Sequence, residues 1–343
     1  MITISDIATK ANVSAGTVDR VLHNRGGVSE KTAERVRKIV KEHDFKINAV
    51  ASSLANKKSR TIAVLIPDYS ETNTFWKDTR LGVEKALEEF LKFGVKLEVF
   101  IFQQFDASSY EAEFQKLIES NPDGAIIAPT FRNETAKHIP KIEANKIPYI
   151  FINIDLDGFK NISFLGQQSY KSGYLAGKLM HVSLSKPAVI AVIQTKLNVE
   201  NNQALSRRIQ GFSEYFIKKD HPLELIMVNI DDVLDAEMVK NTLNLELSKI
   251  NGLSGLFVPS SRASVFVNAL NSDLLSKLEV VGFDGTEQNL NSLKEDRISF
   301  LISQQSFNQG YNAIKLMVDF LIEKKLPTSK MYSPIEILTK ENI

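Results

Sequence analysis

Residues 3–23 read Thr3-Ile4-Ser5-Asp6-Ile7-Ala8-Thr9-Lys10-Ala11-Asn12-Val13-Ser14-Ala15-Gly16-Thr17-Val18-Asp19-Arg20-Val21-Leu22-His23. Thr3 with Asp6 three residues on is a capping-box-like helix start. Ile7, Ala8 and Ala11 then form a short apolar stripe. Asn12 breaks this helix and Val13 packs the turn. Ser14 is a good N-cap for a second helix, Ala15 to Leu22. Val18, Val21 and Leu22 are spaced to face inward, which leaves Thr17, Asp19 and Arg20 on other faces. Working outward, Asn24-Arg25-Gly26-Gly27 is a loop. A third helix starts at Ser29, with Ala33, Val36, Ile39 and Val40 as its stripe. Three short helices, the first two joined tightly, predict a helix-turn-helix domain over residues 1–46.

Charge is unevenly placed around this head. Residues 1–60 hold 12 Lys or Arg against 6 Asp or Glu, and the rest of the chain holds 30 against 35. A basic head on a mildly acidic body suggests that the head meets a polyanion; on charge alone a solvated basic face fits as well. Beyond the head, Asn48 to Ala55 can form two helical turns, too few to be stable alone. Lys57-Lys58-Ser59-Arg60 follows, so residues 47–60 read as a linker.

The segment Thr3–His23, with Val28-Ser29-Glu30-Lys31-Thr32-Ala33-Glu34-Arg35-Val36 after it, resembles the DNA-binding head of the LacI/GalR family of bacterial repressors. The resemblance is long and free of gaps. It implies that the second helix lies in the major groove, with Ala15, Gly16 and Arg20 at base edges. It also implies a contact surface shared by Thr3, Ser14, Thr17, His23 and Asn24. Arginine can pair bidentately with guanine, and the open alternative for Arg20 is a phosphate contact. Asp19 in place of serine and His23 in place of asparagine depart from the family. In such repressors the linker folds into a hinge helix on the operator and pushes a leucine into the minor groove. Leu54 and Ala51 occupy the matching positions, with Asn48 beside them, although Ile47 stands where proline often begins the segment.

From Thr61 the chain alternates apolar strands with amphipathic helices. Strands are predicted at Thr61–Ile66, Val95–Phe102, Gly124–Ala128 and Pro148–Asn153. The pattern restarts after Gly166, with strands near Ala188–Ile193, Glu224–Asn229, Gly255–Val258, Glu279–Gly282 and Phe300–Ser303. Repeated β-α-β-α predicts an α/β class body of two doubly wound parallel-sheet lobes with a cleft between them. Ligands in such sheets sit at the carboxyl ends of strands. The lobes are expected at about 61–161 plus 305–324, and about 162–304 plus 325–343.

Composition and motifs remove other function classes. The chain has 343 residues, 43% hydrophobic and 24% charged, and no cysteine. That suits a globular protein and excludes disulfides, thiolate metal sites and a cysteine nucleophile. No apolar run reaches the ~18 residues of a bilayer span, and the N-terminus does not read as a secretory signal; a cytoplasmic protein is expected. No Gly-x-Gly-x-x-Gly, Gly-x-Ser-x-Gly, His-Glu-x-x-His or phosphate loop is present. The five histidines lack metal-ligand spacing. A binding body is therefore expected rather than an enzyme, with no cofactor and no metal.

The body resembles the type 1 periplasmic-binding-protein fold of sugar repressors and receptors. The resemblance implies aromatic contacts from Phe75 and Trp76, hydroxyl contacts from Arg208, a principal sugar-binding acid at Asp284 and a polar partner at Gln304. The open alternatives are core packing for one of the aromatics and an N-cap role for Asp284. Asn153-Ile154 stands where relatives have Asp-Arg, Gln168 where they have an acid or asparagine, and Ser260-Ser261-Arg262 where they have Asn-Asp. With fewer carboxylates and a new arginine, an acidic or phosphorylated sugar or a short oligosaccharide could replace a plain hexose. The expected protein is a dimeric transcriptional regulator, acting on a pseudo-palindromic double-stranded DNA operator under a carbohydrate effector. A sugar receptor without a DNA role is the alternative. The chain ends without a leucine heptad tail, so a tetramer is not expected.

Overall fold

The computed structural model describes residues 2–22, 26–43, 45, 59–69, 74–184, 188–195, 203–219, 223–230 and 233–343. His23, Asn24 and the expected hinge helix with Asn48, Ala51 and Leu54 lie outside the described residues. The chain divides into two units, residues 1–58 and 59–343.

In the first unit, helices α1 (Ile4–Ala11), α2 (Ala15–Leu22) and α3 (Glu30–Glu42) form where the caps and stripes place them. The Thr3 hydroxyl accepts from the Asp6 amide at 3.2 Å, and Asp6 Oδ2 accepts from the Thr3 amide at 2.9 Å. The Thr3 hydroxyl, which also donates to that carboxylate, and then the Thr3 amide hold the Asp6 carboxyl below its ordinary pKa. Asn12 ends α1 in the left-handed region at φ 51°, which asparagine tolerates better than most residues. Ser14 and Ser29 accept from the amides of Thr17 and Thr32, satisfying donors that each helix start leaves open. Ile7, Ala11, Val18 and Val36 are fully buried where the three helices meet. Few other apolar groups are available to a core this small, so each deletion from it should be costly.

The second unit contains two six-stranded sheets. The first is ordered β11-β5-β4-β3-β1-β2, from Lys330–Tyr332, Ser163–Gly166, Tyr149–Ile152, Gly124–Ile127, Arg60–Pro67 and Val95–Phe102. The second is ordered β12-β10-β9-β8-β6-β7, from Glu336–Leu338, Phe300–Ser303, Glu279–Phe283, Leu253–Phe257, Ala188–Thr195 and Leu223–Ile230. All strands are parallel except β12, which runs antiparallel to β10. The near-continuous apolar runs of β1 and β6 follow from their interior positions, each paired on both sides and buried on both faces. Register pairs Ile62 with Gly124 and Val189 with Leu253 in equivalent places.

The chain crosses between sheets after β5, after β10 and between β11 and β12. Two expected lobe limits need correcting. Ser163–Gly166, assigned to the second lobe, pairs with β4 in the first sheet, where Phe164 is fully buried in the first core. Lys330–Tyr332, also assigned to the second lobe, pairs with β5 before the chain crosses. The Ser163 hydroxyl donates to the Thr328 carbonyl at 2.7 Å, tying these two returns together. The first sheet thus extends to Gly166, and the C-terminal segment is divided between both sheets.

One helix pair in each lobe packs through glycine. Helices α7 (Ser169–Ser183) and α8 (Gln203–Lys218) approach so closely that a Cβ on Gly173 would lie 2.0 Å from the Arg208 carbonyl oxygen. A Cβ on Gly211 would lie 2.1 Å from that of Tyr170. This contact fixes the depth at which α8 sits, and with it the backbone of Arg208.

Candidate functional site

The cleft lies at the carboxyl ends of the strands of both sheets and leaves about 550 Å³ of space, part of it open to solvent. Eight of the nine expected effector residues line it: Phe75, Trp76, Asn153, Arg208, Ser260, Arg262, Asp284 and Gln304. Gln168 does not. It precedes α7 as the helix's N-terminal cap residue, outside the lining, and its neighbour Gln167 is buried behind it. Gln167 is 2% exposed and donates to the Ser303 carbonyl at 2.8 Å.

Phe75 and Trp76 open helix α4 (Phe75–Phe90) and meet edge to face at 5.0 Å. Both are buried in a second apolar cluster of the first lobe, with Val64 and Ile152, and both line the cleft, so packing and ligand contact are compatible for each. Asp284 follows β9 in the left-handed region at φ 69°, and Asn153 follows β4 at φ 67°. Backbone strain of this kind is held in place by its surroundings. Here the Asp284 amide donates to the Ile302 carbonyl at 3.0 Å, and the Asn153 amide to the Leu165 carbonyl at 2.9 Å.

The Gln304 side-chain amide donates to both Asp284 oxygens, at 3.0 and 2.8 Å. Its own oxygen faces the Asn153 amide at 3.5 Å. Asp284 is therefore not a helix cap. That role falls to Thr286, which accepts from the Asn289 amide ahead of helix α12 (Glu287–Lys294). Burial pushes the Asp284 carboxyl up to about 6, against the lowering effect of Arg208 and of the Gln304 bonds. Arg208 is 4% exposed, donates to the Pro259 carbonyl at 2.7 Å and lies 4.1 Å over the Phe283 ring. Burial brings its guanidinium down to about 10, and Asp284 opposes that shift.

Sequence reasoning missed Gln104, Thr130, Ala204 and Leu205, and it quoted Ile154 and Ser261 in cleft segments without assigning them contacts; all six also line the cleft. Gln104 and Thr130 each follow the end of a first-sheet strand, a position that could have flagged them. Asn289 was missed for a different reason: it acts from behind the wall. Fully buried, it donates to the carbonyls of Phe283, Asp284 and Ser261 and accepts from the Ser264 amide. It staples the loop carrying Asp284 to the one carrying Ser260–Arg262, using every polar atom of its side chain.

On the head, Ala15, Gly16 and Arg20 are exposed on α2, away from buried Val18 and Val21. The Thr3 hydroxyl donates to Asp6 at 2.7 Å, and those of Ser14 and Thr17 share a bond of 2.9 Å. A Cβ on Gly16 would meet nothing nearer than Ser14 Oγ at 3.8 Å. Nothing within the described head therefore demands glycine there. Among the described residues no helix is long and apolar enough to cross a membrane, and no cluster of His, Asp or Glu could hold a metal ion.

A small helix-turn-helix head joined to a two-lobed ligand-binding body defines a class of regulator. Residues 62–325 match the family described as "Periplasmic binding protein domain", and residues 3–48 that of "Bacterial regulatory proteins, lacI family". The chain belongs to the periplasmic-binding-protein domain family and carries a lacI-family head. It is a DNA-binding transcriptional regulator, and its named relatives include ribose and sucrose operon repressors and a catabolite control protein.

It is 24% identical to the ribose operon repressor of Lactococcus lactis, over 100% of this chain and 98% of that one. It is 27% identical to a sucrose operon repressor of Lactococcus lactis, over 86% and 88%. A Bacteroides fragilis structure assigned as a LacI transcriptional regulator superposes with a TM-score of 0.74 at 28% identity, covering 83% of this chain and 98% of that chain. A Burkholderia graminis solute-binding protein in complex with D-arabinose shares the fold, with a TM-score of 0.73 at 21% identity over 83% and 97%.

Proposed function

We propose that this protein is a cytoplasmic repressor that binds a pseudo-palindromic operator as a homodimer and is released or recruited by a carbohydrate seated between its lobes. The observation that carries this reading is the Asp284–Gln304–Arg208 group beside Phe75 and Trp76. A carboxylate, an amide and a guanidinium supply acceptors and donors for adjacent hydroxyls, while an aromatic face suits the apolar face of a sugar ring. The repressors named above regulate sugar operons, which favours the same ligand class.

A dimer is supported by the terminal strands of the two sheets. β2 and β7 expose Val99 and Met227, at 39% and 45%, on edges with backbone groups left to pair or cover. Two heads related by a two-fold axis match two half-sites. The alternative of a receptor without a DNA role is disfavoured by the lacI-family head over residues 3–48.

The test is a thermal-shift screen of the full chain over a sugar library, followed by gel shifts on upstream inverted repeats with each hit. A ligand at 100 times its Kd stabilises by about 2.7 kcal/mol. The same compound should change operator affinity. A hit without effect on DNA binding would separate the cleft from regulation.

A further inference from the structure

The cleft contains two buried arginines, and they are not equivalent. Arg208 sits near Asp284, which opposes the effect of burial on its charge. Arg262 is 3% exposed; its Nη2 donates to the neutral Gln104 Oε1 at 2.8 Å, and its guanidinium lies 4.9 Å from the Phe105 ring centroid. It forms no ion pair among the described residues, and burial alone accounts for the lowering of its pKa. Asp284 is the single carboxylate among the described residues of the lining. The described wall thus carries one positive charge in excess.

A buried charge without a counter-ion is costly. Gln104 and the Phe105 ring soften that cost without cancelling the charge. The guanidinium fork keeps further N–H donors beyond the one given to Gln104, in a planar array that fits the oxygens of a carboxylate or a phosphate. Arg262 follows β8 in the second lobe and Gln104 follows β2 in the first, so an anion here would lie where the lobes meet.

We infer that the effector carries an anionic group, a carboxylate or a phosphate, seated against Arg262 beside Gln104. The inference rests on the cleft being the effector site. It divides the polar groups of the cleft into a hydroxyl-binding set, Asp284, Gln304 and Arg208, and an anion-binding residue, Arg262.

Calorimetry on the full chain with matched sets tests this: glucose, glucuronate and glucose 6-phosphate, with the galactose set beside them. In at least one set an anionic member should bind about tenfold to hundredfold tighter than the neutral sugar, the span of a hydrogen bond to a charged group. Whether the uronate or the phosphate leads identifies the source of the charge. Arg262→Gln should remove the preference, and Arg262→Lys should keep part of it. Gln104→Glu should also remove it, by supplying the counter-ion from the protein. Melting transitions verify that each variant folds.

A neutral sugar binding as tightly as its anionic partners would overturn the inference while leaving the carbohydrate reading in place. So would an anion preference that survives in Arg262→Gln. Inorganic phosphate or acetate binding in an Arg262-dependent way, with no sugar of any kind bound, would sustain the anion site and reject the carbohydrate reading. A panel in which no anion binds rejects the inference.

Discussion

Arg208 and Arg262 face one cleft, and burial lowers both to about 10, yet their surroundings differ. Arg208 has its backbone fixed by the Gly173 contact, its guanidinium on the Pro259 carbonyl and Asp284 nearby. Arg262 has an amide and a ring. The first belongs to a group that is electrostatically matched before any ligand arrives. The second is matched by nothing charged in the described protein, so its function should be visible only when a ligand is present.

The largest expected effect breaks this contrast directly. Arg208→Met leaves Asp284 buried without its cation and should cost about 3 kcal/mol in urea unfolding at pH 7. Arg262→Met removes an uncompensated charge and should stay within about 1 kcal/mol of wild type, or exceed it. Both should impair effector response. Equal destabilisation by the two substitutions would mean that Arg262 has a counter-ion after all.

The contrast also bears on how much the sequence reveals. The head is readable almost to the residue, because caps and stripes are local signals: Thr3, Asn12, Ser14 and Ser29 act where chemistry predicts. The long apolar strands are equally legible. The strand Ser163–Gly166 is only four residues long and lies between two loops, and β11 and β12 have three residues each, mostly exposed. No periodicity develops over such lengths, so their sheet membership depends on pairing partners far away in sequence. Gln168 shows a related failure: a one-residue difference at a crossover decides which side chain is buried. Arg262 was legible as a residue type, whereas its lack of a counter-ion depends on Gln104, 158 residues earlier.

Acidity sharpens the comparison at Asp284. Burial raises the Asp284 carboxyl from 3.8 to about 6 in the folded chain. A group raised on folding contributes stability that is complete below its unfolded pKa and is lost as pH rises through the folded one. The stability of wild type relative to Asp284→Asn should therefore fall by on the order of 2 kcal/mol between pH 4 and pH 7. Denaturant titrations at several pH values measure this. A neutral sugar that donates hydroxyls to the carboxylate should bind more tightly as pH rises through about 6. An anionic effector held by Arg262 should be less sensitive, since protonating Asp284 makes the cleft more positive. A flat stability difference would mean that Asp284 titrates near its ordinary value.

On the head the arginine is placed in the opposite way, exposed and open to a partner. Arg20→Ala should weaken operator binding by about 1–3 kcal/mol and relax sequence preference if its contact is bidentate to a base. Gel shifts on operator and scrambled duplexes decide between base and backbone. Equal losses on both would assign Arg20 to phosphate.

The smallest expected effect concerns Gly16, one turn before Arg20 on the same exposed helix. Glycine inside a helix costs about 1 kcal/mol relative to alanine, and a Cβ there meets nothing closer than 3.8 Å in the head itself. Gly16→Ala should therefore stabilise the head by up to about 1 kcal/mol. If α2 lies against a duplex, the same methyl group lies at the interface, and operator affinity should fall although the head is more stable. The two measurements then move in opposite directions, which a purely structural role for Gly16 cannot produce. Arg20→Ala provides the control, since it should lower affinity with little change in stability. If Gly16→Ala raises both quantities, α2 does not approach DNA at that position, and the surface carrying Ala15, Gly16 and Arg20 must be redrawn around Arg20 alone.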